Sequence, residues 1–150
     1  MDWKKLALAA FAFAAISQFV HTIGSIADLP YYTDPANFAL WSKVMMPGPQ
    51  PPGMEFYALS IAVSLATGLI FAYAYMISKQ AFVMKKSFKS DRFWKVGLKF
   101  VLFLFLLTCF TGILSMYLLF AIPMGLLLSW TAQGLAVSLA AGVAFARIIG

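Results

Sequence analysis

A chain of 150 residues that is 63% hydrophobic and only 11% charged, with a mean hydropathy of +0.88, has too little polar surface for a soluble globule and length for one domain, 1–150. Its net charge of +6 does not indicate nucleic acid, because the cations are gathered at helix ends and in one linker rather than spread over a binding face. A lone cysteine, Cys109, rules out an intrachain disulfide and a cysteine-based metal knuckle, and suits a small buried apolar side chain.

The first apolar run, residues 6–27, follows Lys4 and Lys5. Its alanine-rich start and the small-x-small spacings at Ala10-Phe11-Ala12 and Ala12-Phe13-Ala14 imitate a secretory signal, but the run is too long for a signal's apolar core and reads as an uncleaved span. Its outer half carries Gln18, His21, Ser25 and Asp28, spaced 3, 4 and 3 apart and so on one helix face.

The outer segment that follows opens at Asp34-Pro35, a capping carboxylate with proline at the first helical position. Residues 36–46 then predict a short helix lying in the headgroup zone, with Trp41 in the aromatic belt, stopped by Pro47. The proline-rich stretch Pro47-Gly48-Pro49-Gln50-Pro51-Pro52-Gly53 predicts an extended connector. Glu55 opens the second span, residues 56–77, where a carboxylate complements the helix dipole.

Lys79, Lys85, Lys86, Lys89, Arg92, Lys95 and Lys99 fill or border the link to the third span, residues 98–120, and Arg147 follows the fourth, residues 124–146. With Lys4 and Lys5 these cations share one side of the spans, against Lys43 alone on the other. Short-loop cation bias therefore places both termini and the loop 79–99 in the cytoplasm, with the protein in the cell (inner) membrane and the loop against anionic headgroups.

The second and fourth spans resemble each other. Ala62-Val63-Ser64-Leu65-Ala66 recurs as Ala136-Val137-Ser138-Leu139-Ala140, and at the same offset Gly68 pairs with Gly142 and Phe71 with Phe145. The spans before them share a Trp-Lys start, Trp3-Lys4 and Trp94-Lys95, so two tandem hairpin repeats are one reading and chance similarity of membrane helices the other. Ser60, Ser64, Gly68 and Ala72, and likewise Gly134, Ser138, Gly142 and Ala146, stand four residues apart and predict close helix packing.

No acidic residue, Lys or Arg stands near a span centre, which argues against ion-coupled transport and proton relays. Polar groups gather at one height: His21, Gln18 and Ser25 in span one, with Gln133 in span four. They suit either interhelical hydrogen bonds or an outward-opening pocket for a quinone or lipid headgroup. Haem would require a second axial ligand such as Met45, Met46 or Met116, which spacing does not indicate.

Phe93-Trp94-Lys95-Val96-Gly97-Leu98-Lys99-Phe100, the Ile122-Pro123 turn, and Ser129-Trp130 through Gly142 resemble a broad group of small four-span prokaryotic membrane proteins of unknown function. The resemblance covers about half the chain and implies an all-α four-helix bundle and no activity. The leading expectation is a non-catalytic accessory or structural subunit of a larger membrane complex, or a homo-oligomer. The alternative is an outward-facing binding or transport protein for a small hydrophobic ligand at the cluster around His21. An enzyme would need an acid–base or metal constellation, and none is written in the chain.

Overall fold

In the computed structural model, which describes residues 2–45, 50–82 and 93–150, the described elements are helical throughout. The principal helices are α1 (Trp3–Ala27), α3 (Met54–Phe82), α4 (Phe93–Leu104), α5 (Thr111–Leu119) and α6 (Met124–Ile148), with a short α2 (Leu29–Thr33) after α1. A π-helical segment, Phe105–Phe110, joins α4 to α5 into one span. Four helical stretches, Trp3–Ala27, Met54–Ser78, Trp94–Leu119 and Met124–Ile148, are long and apolar enough to cross a bilayer. The chain is thus an all-α four-helix bundle of the multi-pass membrane type. Residues 46–49 and 83–92 lie outside the described residues, and with them the start of the proline-rich connector and the middle of the basic loop.

Helix starts follow local chemistry. Asp2 caps α1 by accepting from the Lys5 amide, Glu55 stands in the first turn of α3, and Arg147 in the last turn of α6.

Successive spans run antiparallel. α1 lies between α3 and α6, and α4 lies between α3 and α6 on the other side. Toward the end that carries the termini, one aromatic plug joins all four spans. Phe13 meets Phe71 edge-on at 5.6 Å and Phe145 at 6.3 Å, while Tyr75 meets Phe100 at 5.2 Å and Phe145 at 6.2 Å. Such pairs add about 0.5–1.5 kcal/mol each beyond their area burial.

Gly68 and Gly142 each lie against the first span of their own hairpin. A side chain on Gly68 would meet the Ala10 carbonyl at 2.9 Å, and one on Gly142 would meet Val101 at 2.5 Å. At the other ends of the small-residue registers, Ser60 accepts from Gln18, while Gly134 has Cys109 against it. Ala10 and Val101 stand 91 residues apart, as do Gln18 and Cys109 and the Trp-Lys pairs; Gly68 and Gly142, like Ser60 and Gly134, stand 74 apart. Equivalent positions therefore touch in both hairpins, which the sequence match alone did not require.

The segment between the first two spans differs from the expected helix over residues 36–46. It forms a 3-10 turn over Pro35–Leu40, and Trp41 is already extended. Asp34 caps it as read, accepting from the Ala36 amide at 2.9 Å. The helix stops because its residues have better partners elsewhere. Asn37 is buried and donates to the Tyr31 carbonyl, and the Trp41 ring packs edge-on against Tyr32 at 5.2 Å and near Trp130 at 6.4 Å. Trp41 belongs to a roof over one end of the bundle rather than to a free surface helix.

Candidate functional site

Beyond the aromatic plug, toward the Pro123 end, the spans do not close on one another. α4 touches both α3 and α6, whereas the π segment and α5 lean chiefly on α6 and leave span two. The space between them is a cavity of about 730 Å³ lined by all four spans, within the range of small-molecule sites. Phe13 and Phe71 form its floor. Leu59, Val63, Gly112 and Met116 line it while themselves exposed, so the opening lies sideways between spans two and three. The π segment contributes Thr108 and Cys109 to the wall; single π turns of this kind interrupt helices frequently at functional sites.

The polar wall comes from α1, α3 and α6. Gln18 donates through Nε2 to Ser60 Oγ at 2.9 Å and Ser64 Oγ at 3.0 Å, tying α1 to α3. His21 Nδ1 lies 2.9 Å from Gln133 Oε1, tying α1 to α6. Gln133 in turn donates through Nε2 to Asp28 Oδ2 at 2.9 Å and Ser129 Oγ at 3.0 Å. Asp28 is only 2% exposed, although it stands at the very end of α1.

The structure thus divides the stripe read from the sequence. Gln18 serves the contact with α3, while His21 and Asp28 serve the contact with α6. Ser25 does not join either: it is exposed and donates to the Thr22 carbonyl of its own helix. A hydroxyl that can reach the previous turn satisfies itself there.

Two contributors escaped the sequence reading. Gly24 leaves the space in which the Gln133 side-chain amide lies, since a Cβ there would collide with it. A glycine within the polar stripe was the available signal. Ser17 is the other. It is 6% exposed, lines the cavity and makes no hydrogen bond among the described residues.

Above the cavity, Trp130 donates from Nε1 to the Tyr32 hydroxyl at 3.2 Å, and Trp130 itself lines the space below. Burial pushes the Tyr32 phenol up from its ordinary value; the Trp130 bond opposes this and the nearby Asp28 charge adds to it. Tyr32 therefore remains a neutral phenol at physiological pH. Trp41 Nε1 is buried without a partner among the described residues.

Of the methionines considered beside His21, Met116 lines the same cavity, Met45 closes a turn on Ser42, and Met46 falls outside the described residues. No group of three His, Cys, Asp or Glu capable of holding a metal occurs among the described residues. No protein-family model matches the chain, and no curated protein or solved structure matches it.

Proposed function

We propose that this protein is a non-catalytic membrane binding protein that holds a lipid-soluble small molecule with a polar end in the cavity between its spans. The observation that carries this reading is the hydroxyl of Ser17, a residue only 6% exposed, which lines that cavity and has no partner among the described residues. A hydroxyl that opens onto a mostly apolar cavity without a partner gains a hydrogen bond when a polar group binds beside it. An apolar mouth at Leu59, Val63 and Met116 suits entry of the ligand's hydrocarbon part from the bilayer.

Gly112 supplies the test. A Cβ there meets nothing within 4 Å, so Gly112→Phe should fold while filling the mouth. Small molecules retained by the full chain purified in mild detergent would be measured by mass spectrometry. Wild type should carry an amphiphile and Gly112→Phe should lose it; equal content in both, or none in wild type, refutes the binding reading.

The accessory-subunit reading rests on the same opening, which a helix of another membrane subunit could fill. Co-purification of a second chain with an empty cavity would favour it. For orientation, the cation bias supports termini on the cytoplasmic side and the loop 79–99 on anionic headgroups. A reporter after Gly150 should be cytoplasmic and one near Gln50 external; the reverse would invert the cavity relative to the membrane.

A further inference from the structure

Hydroxyls in this chain commonly bond the carbonyl one turn back: Thr22 to Gln18, Thr108 to Leu104, Ser115 to Thr111 and Thr131 to Leu127. Along the polar wall of the cavity the pattern changes. Ser17 makes no such bond, and Ser60 and Ser64 only accept, from Gln18, so their own protons remain available. This wall offers donors.

His21 offers the opposite. A carboxylate oxygen accepts, so the Gln133 amide nitrogen faces Asp28 and its Oε1 faces His21. That oxygen can only accept, so Nδ1 of His21 carries the proton. In the tautomer that this bond selects, Nε2 holds the lone pair, and it has no partner among the described residues. Ser17 and His21 stand one turn apart on α1, so one ligand oxygen can lie between them.

Resting on the cavity reading above, we propose that the ligand's polar end is a hydroxyl, which donates to His21 Nε2 while its oxygen accepts from Ser17. The class is a lipid-soluble alcohol or phenol, in preference to a ketone, ether or quaternary ammonium. Asp28 and Gln133 are positioning residues, holding the histidine as an acceptor.

The test compares 4-decylphenol with 4-decylanisole, its methyl ether, on the full chain in lipid nanodiscs. Wild type should bind the phenol about tenfold more tightly, the size of one net hydrogen bond. His21→Phe should reduce the phenol to the anisole's affinity and leave the anisole unchanged. Asp28→Asn, which frees the Gln133 amide to turn, should narrow the preference. Ser17→Ala removes only an unpartnered hydroxyl and should fold; it should weaken both probes alike. Equal binding of the two probes by wild type, both lost in Gly112→Phe, would overturn the hydroxyl assignment and leave the cavity reading standing. Binding of neither probe would overturn both.

Discussion

The two hairpins share their packing and differ in their chemistry. Ala10 on Gly68 in the first corresponds to Val101 on Gly142 in the second, and the backbones come close in both. At the next equivalent contact the first hairpin has Gln18 bonded to Ser60, and the second has Cys109 against Gly134. The seams between hairpins differ still more. Between spans one and four, His21 meets Gln133; at the equivalent positions between spans three and two stand Gly112 and Leu59. One seam is clamped by a polar chain ending at buried Asp28, and the other is the open mouth of the cavity. Close packing of small residues tolerates many side chains elsewhere on the helix, so one hairpin could lose the polar groups without losing the fold.

The clamp gives the largest expected effect. Gln133→Leu would leave buried Asp28 without its amide partner and force a branched side chain against Gly24, destabilising the bundle by about 3 kcal/mol. Leu59→Ala, at the equivalent position of the open seam, should leave thermal unfolding in detergent nearly unchanged. Equal losses at both positions would mean that the open seam is closed in the membrane.

Packing should be symmetric where chemistry is not. Gly68→Leu and Gly142→Leu each force the helices apart and should cost about 1–3 kcal/mol. A wild-type melting temperature for either one would break the equivalence of the two hairpins.

Smaller effects separate the remaining polar pair. Gln18→Leu gives up two hydrogen bonds to α3 and should cost about 1 kcal/mol, against no more than about 0.5 kcal/mol for Cys109→Ala. Ser25→Ala should be silent, since the hydroxyl serves only its own helix. A Ser25 effect as large as that of Gln18 would restore the undivided stripe.

Much of the site was legible from spacing, and its misses have definite causes. Gln18, His21 and Gln133 were readable because amides and imidazole are rare in spans and expensive to leave unpaired there. Ser25 shared their face but had a carbonyl within reach on its own helix, which face analysis does not register. Asp28 was readable as the end of the polar face, but its burial was not, because that depends on α6 and α2 arriving beside it. The helix expected after Asp34 had a sound cap but competed with aromatic partners outside it, Tyr32 just before the cap and Trp130 far along the chain.

From the sequence alone came the four spans, their alternation and the small-residue registers. Each depends on one helix at a time: its length, its hydropathy and the four-residue spacing of one face. Tertiary structure decided which neighbour each polar residue serves and where the bundle stays open. Those depend on how the helices turn and part from one another, on the π turn in span three, and on whether two side chains from different spans reach the same point. His21 became a one-sided acceptor only when Gln133 and Asp28 were brought beside it, across more than a hundred residues of chain.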